Sequence, residues 1–278
     1  MNISLLKDRC CLRITGSDTF KFLQGLLTND VSLLETQKSI YAGLLSPQGK
    51  VLFDFILIKD RDGVIFDVVK SSAVDLIRRL NLYKLRSDIH IEDLSDQYNV
   101  IAFFGEGDNL KLREEQTFTD PRLEMLGWRS LIEKTSNVTR IDFEDDSKYH
   151  AHRIRLGVPE GGKDYIFGET YPHEALFDLL HGLSFSKGCY IGQEIVSRME
   201  HRAVIRKRIV VVIGESHLQQ GASVSAAEIE IGRIGSVNGS LGLALLRVDW
   251  INEAQKKGVQ LLSMGNPLKI EIPNWVRL

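Results

Sequence analysis

The period of the hydrophobic pattern changes several times along the chain, and each change predicts a new element. Residues 12–15 have strand character, Gly16 turns, and Ser17 can cap a helix with Phe20, Leu23 and Leu27 at helical spacing, which Thr28-Asn29-Asp30 ends. Residues 41–46 and 51–59 flank Pro47-Gln48-Gly49-Lys50 as a hairpin, and Asp62-Gly63 turns into a further strand at 64–69. A second helix starts at Ser71 or Ser72, lays Val74, Ile77, Leu80 and Leu85 near one face, and gives way to a strand at 90–94. After a strand at 100–104, the polar stretch 105–116 reads as a surface connection or a short helix. A helix over 147–156 stops at Gly157 with Pro159 just beyond, followed by a Gly- and Pro-rich connection over 158–173. Residues 175–181 predict a short helix and 192–201 another, with Ile195, Val196 and Met199 inward. Beyond 203 the pattern switches to short strands at 205–213, 222–224, 229–237, 241–248 and 268–272, a small barrel or sandwich. The order is mixed α+β, with a boundary near Arg202 that divides the chain into 1–202 and 203–278.

Composition narrows the function classes. The 278 residues are 43% hydrophobic and 26% charged, ordinary values for about two globular domains. A net charge of -2 gives no global attraction to nucleic acid or anionic lipid. No apolar run reaches membrane-spanning length, and the opening MNISLLKDRC lacks signal- or transit-peptide features, so the expected location is cytoplasmic. Three cysteines, two of them the adjacent Cys10 and Cys11, cannot build a disulfide framework. Zinc-type CxxC pairs, HExxH, the Walker loop and GxGxxG are all missing, and the scattered histidines show no ligand spacing, so no metal site is expected.

The segment richest in chemistry is Lys187-Gly188-Cys189-Tyr190-Ile191-Gly192-Gln193-Glu194. It places a lone cysteine between two glycines just ahead of a predicted helix, where free backbone N–H groups, the helix dipole and Lys187 all favour a thiolate. The alternative is a buried, inert cysteine between turn glycines. One thiol cannot hold an iron–sulfur cluster, which takes about four, so Cys189 can contribute a single bond, as nucleophile, transient ligand or shared ligand.

KGCYIGQE resembles the signature of the YgfZ family, folate-binding proteins of the glycine cleavage T-protein superfamily that are linked to iron–sulfur cluster assembly or repair and to tRNA modification. The likeness extends to RITGSDTFKFLQGLLTND, LLSPQGKVLFDFIL, LYKLRSDIHIED, RIRLGVPEGG and the run into RKRI, most of residues 9–208. It implies a ring of two intertwined α+β subdomains with a C-terminal β-barrel, enclosing a channel for tetrahydrofolate. It gives Cys189 and Lys187 the chemical roles, makes Gly188 and Gly192 backbone requirements, and places Tyr190, Gln193 and Glu194 as structural members of the motif. Tyr149 would stack on folate, with Asp54, Arg155 and Arg202 as further folate-site residues.

Two departures separate the chain from a true aminomethyltransferase. The T-protein hairpin carries consecutive aspartates where this chain has Phe53-Asp54, and a pterin-binding glutamate where it has Arg155, which can only donate. Three functions follow: a folate-dependent iron–sulfur assembly or repair factor, a one-carbon transferase, and an adaptor for tRNA or protein. The last would use the basic run Arg198, Arg202, Arg206, Lys207 and Arg208, which lacks the aromatic platforms of an RNA-binding stripe. The expected partners are therefore folate, iron–sulfur proteins and, on the third reading, tRNA.

Overall fold

The computed structural model describes residues 1–107, 117–135, 143–202 and 205–276, the Arg202 side chain excepted. In chain order these form β1 (Asn2–Leu5), β2 (Arg9–Thr15), α1 (Thr19–Gln24), β3 (Ser39–Leu45), β4 (Val51–Lys59), β5 (Gly63–Val69), α2 (Ala73–Lys84), β6 (His90–Asp93), β7 (Tyr98–Phe104), β8 (Thr117–Thr119) and β9 (Trp128–Glu133). There follow α3 (Asp146–Arg155), α4 (Gln193–Arg202), β10 (Lys207–Gly214), β11 (Ser223–Ala226), β12 (Ile229–Asn238), β13 (Leu241–Arg247), α5 (Val248–Lys257), β14 (Leu261–Ser263) and β15 (Asn266–Glu271). The chain divides into two compact units: Met1–Pro47 with Leu52–Tyr149 and Leu180–Gln193, and Gln48–Val51 with His150–Leu179 and Glu194–Leu278. Residues 108–116, most of the polar stretch read above as connection or helix, lie outside the described residues.

The first unit holds a five-stranded sheet in the order β3-β4-β5-β2-β6 and a four-stranded sheet, β1-β7-β9-β8. In β2 the two-residue period sends Cys10, Leu12 and Ile14 to one face, where they join Phe55, Leu57, Phe66 and Val68 in the core. Leu23 and Leu27 reach that core, but α1 ends at Gln24, and Phe20 is 44% exposed. Ser17 does not cap α1; Asp18 holds the cap position and the Ser17 hydroxyl donates to Asp88. The second helix meets the expected face in part: Leu80 is in the core and Ile77 packs against it. Ala73, Leu76 and Leu80 are buried, whereas Val74 and Leu85 are 57% and 88% exposed. Its apolar residues are so closely spaced that two overlapping stripes satisfy the same period.

The expected helix at 175–181 is a run of turns. Leu176 and His181 adopt left-handed backbone angles, φ 64° and 58°, which interrupt right-handed helix at both places.

In the second unit the strands close into a barrel, β10-β13-β12-β11-β14-β15. Val210 and Val212 alternate inward and pack with Ile234, Ala244, Leu246 and Leu268. The sequence pattern predicts no helix here, yet α5 buries Ile251 and Ala254 in this core and ends at Gly258, whose left-handed φ of 65° suits a helix stop. Gly157 ends α3 in the same way, at φ 77°, and the Trp275 indole donates to the Leu156 carbonyl beside it.

Candidate functional site

The cysteines divide by burial: Cys10 and Cys11 are sealed in β2, and Cys189 is exposed. Burial pushes both β2 thiols up, Cys11 furthest. Cys189 precedes α4 by four residues, in a loop held by its neighbours. Gln193 accepts from the Tyr190 backbone N–H at 3.2 Å through its side chain, and its own N–H donates to the Tyr190 carbonyl at 3.3 Å. Gly192 has a φ of 82°, a conformation that favours glycine. Gly188 is different from the expectation: its φ is not positive and a Cβ there would meet nothing within 4 Å, so the backbone imposes no need for glycine. Glu194 pairs with Arg198 at 2.7 Å on the surface of α4.

Lys187 points inward, away from solvent. Its ammonium donates to the carbonyls of Leu27 at 2.9 Å and Asn29 at 2.8 Å and lies 5.3 Å from the centre of the Tyr190 ring. Burial lowers its pKa to about 8, against the opposing charge of Asp30. The Tyr190 hydroxyl is buried without a hydrogen-bond partner among the described residues, and burial raises its pKa to about 12.

Asn29 also borders the second feature of this unit, a cleft of about 600 Å³. Leu33, Ile40, Phe118 and Pro121 supply its apolar walls, and Gln37, Lys38, Ser39, Tyr41, Thr119, Asp120 and His181 its polar ones. The Asn29 side-chain amide donates to the carbonyls of Tyr41 and His181, each at 2.8 Å, and so fixes two sides of the opening. Behind the wall, the Tyr41 hydroxyl donates to Asp54 at 3.1 Å. Asp54 is thus one hydrogen bond removed from the cleft. Its neighbour Phe53 packs into the hydrophobic core.

A buried ionic network underlies the cleft. Asp120 accepts from Arg122 and from Arg129, Arg129 reaches Asp67 at 2.5 Å, and Asp67 also accepts from Arg9 at 2.6 Å. Burial alone would raise the Asp120 pKa; the adjacent Arg122 and Arg129 charges outweigh it and hold the carboxyl far below the usual range. Tyr149 belongs to this network. It is 1% exposed, its hydroxyl accepts from Arg122 at 3.1 Å and Arg129 at 2.8 Å, and Phe104 packs edge-on against its ring. The expected stacking on folate is therefore corrected: this ring has no open face to offer.

The remaining expected residues are dispersed. Arg155 is exposed on α3; the buried arginine of that helix is Arg153, bound to Asp164 at 2.7 Å and Ser236 at 2.6 Å. The Arg202 side chain lies outside the described residues. Of the basic run, Arg208 is buried in a bidentate pair with Asp178 and Arg198 is paired with Glu194, so these cations serve contacts within the chain. Asn29, Tyr41, Asp120 and Arg129 escape sequence reasoning, which marks Asn29 as a helix stop and gives the others no signal.

Two family models match the chain: the GCVT N-terminal domain over residues 10–114 and the CAF17 C-terminal beta-barrel domain over 206–278. The chain is 33% identical to the iron–sulfur cluster assembly factor IBA57, mitochondrial, of Homo sapiens, over 87% of its own length and 76% of that protein's. It is also 33% identical to the IBA57 homolog, mitochondrial, of Dictyostelium discoideum and 32% to that of Neurospora crassa, spanning 64% and 52% of their lengths. These relatives carry the word mitochondrial in their names, unlike the cytoplasmic expectation. Among solved structures, the glycine cleavage system aminomethyltransferase T from Bartonella henselae superposes with a TM-score of 0.77 at 14% identity, covering 99% of this chain and 86% of that one. The α+β fold with a C-terminal barrel is thus the aminomethyltransferase-like fold. No helix among the described residues is long and apolar enough to cross a membrane.

Proposed function

The chain belongs to the family of IBA57 iron–sulfur cluster assembly factors, and we propose that it assists assembly or repair of iron–sulfur clusters by presenting the Cys189 thiol, in the same compact unit as a cleft for reduced folate. The observation that carries this reading is the exposure of Cys189, against the burial of the other two cysteines. A thiolate is a soft ligand for iron, and a cluster takes about four of them. Cys189 gives up its proton as it binds iron, and cysteines of a client or carrier protein complete the ligand set.

The cleft residues fit a folate. A volume of about 600 Å³ lies within the range of small-molecule sites. Ile40, Phe118 and Leu33 can cover the faces of a flat heterocycle, Gln37, Ser39 and Thr119 can meet its polar edge, and Lys38 can pair with a glutamyl carboxylate. Tetrahydrofolate would supply a reduced pterin able to carry a one-carbon unit; the residues named here would bind and orient it. The transferase alternative loses support at Phe53, whose side chain is committed to the core. The IBA57 relatives carry the word mitochondrial in their names, and this reading extends that location to the chain.

Calorimetric titration with tetrahydrofolate, together with activation of an apo iron–sulfur enzyme by the wild-type protein and by C189S, tests both parts. We expect saturable folate binding and loss of activation in C189S. Absence of binding removes the folate component, and full activation by C189S removes the thiol.

A further inference from the structure

We infer that Asn29 is a positioning residue that couples the cleft to the cysteine loop. The inference rests on the folate and thiol reading above and adds a connection between its two halves. Asn29 holds three parts of one compact unit together. Its side-chain amide bonds the Tyr41 carbonyl on β3 and the His181 carbonyl, both residues that line the cleft. Its own carbonyl accepts from Lys187, two residues before Cys189. Leu27 supplies the second carbonyl, so the ammonium is seated on a short piece of backbone that ends at Asn29, a residue of the cleft lining.

The geometry is demanding. Asn29 is 6% exposed and Lys187 8%, and buried polar groups lose free energy when their partners shift. Moving the Leu27–Asn29 backbone by an ångström breaks bonds to Lys187 on one side and to the cleft wall on the other. His181 adds a constraint, since its φ of 58° is costly for a residue with a side chain and persists because its surroundings hold it. A ligand that presses on Tyr41 or His181 therefore acts on Asn29, and through Lys187 on the loop that carries the thiol. Two arrangements of the loop follow: Lys187 seated on the two carbonyls, and Lys187 released to solvent with Cys189 free to swing. Occupancy of the cleft favours the seated one.

The test is the rate of Cys189 alkylation by iodoacetamide, followed by intact mass, with and without saturating tetrahydrofolate. Calorimetry on the same samples establishes whether folate binds. In the wild type, folate should slow alkylation at least threefold. In N29A, which also loosens the cleft wall and is therefore brought to saturation as calorimetry on that variant defines it, the ratio should fall to one. K187M, which leaves the Asn29 side-chain bonds in place, should give the same result and serves if N29A fails to fold; thermal melts of both variants establish folding. A structural role alone would change the melting temperature and leave the folate-dependent ratio intact. Folate binding to the wild type without any change in alkylation, or a wild-type ratio in folded N29A or K187M, overturns the coupling and leaves the folate reading standing. Absence of folate binding to the wild type overturns both.

Discussion

Arg129 on β9 and Tyr149 on α3 meet at 2.8 Å in a fully buried site, where the arginine also bonds Asp67 and Asp120. Replacing Arg129 with Met keeps most of the volume and removes the cation from two buried carboxylates. The expected loss is about 3–5 kcal/mol of unfolding free energy, the usual consequence of leaving a buried charge uncompensated. Urea denaturation measures it. A loss below about 1 kcal/mol would show that the network is not a main source of stability.

Thiol counting distinguishes the three cysteines. In the native protein an aromatic disulfide reagent should titrate Cys189 within minutes and leave Cys10 and Cys11 untouched, because burial withholds both access and ionisation from them. C189S should give no fast phase, and the unfolded wild type should give all three. A fast phase surviving in C189S would contradict the burial of the β2 thiols.

Lys187 gives stability a definite pH dependence. Its folded pKa of about 8 lies below the ordinary lysine value, so between the two the unfolded chain binds the extra proton and the folded chain does not. Stability must then rise with pH across that window. The difference in unfolding free energy between wild type and K187M should move in favour of wild type as pH climbs from 8 to about 10.4. A flat difference across the same range would place the ammonium in a solvent-like setting.

At Gly157 a substitution meets two obstacles at once. The φ of 77° strains any side chain, and a Cβ would lie 2.8 Å from Pro273 and 3.3 Å from Val211. G157V should cost about 2 kcal/mol or more, through strain and overpacking together. A thermal melt equal to wild type would mean that the helix end relaxes freely.

Much of the fold is legible in the sequence because alternation and turn residues act locally. The strands that become β10, β12 and β13 can be read from their short apolar runs and flanking glycines, α3 from its stop at Gly157 and Pro159, and α4 from its apolar spacing. What escapes is set by partners distant in the chain. Nothing local in Arg9, Asp67, Asp120 and Arg129 announces that they form one buried network, since their pairing is created by sheet registers joining β2 to β5 and β8 to β9. The face of α2 is legible at Ile77 and Leu80 but not at Val74 and Leu85, because its neighbours, and not its own pattern, decide between Leu76 and Val74. The site divides likewise. Cys189 and Lys187 stand out from their motif, whereas Asn29 acquires its role only when residues 41, 181 and 187 converge on it.

The closure of the barrel has a consequence for solubility. Because β15 lies between β10 and β14, every strand of that ring is hydrogen-bonded on both sides, and no unpaired border remains to recruit a strand from a neighbouring molecule. Deleting Asn266–Glu271 would uncover two such borders at once, rich in β-branched and aliphatic side chains, and turn a self-contained ring into an adhesive template for aggregation.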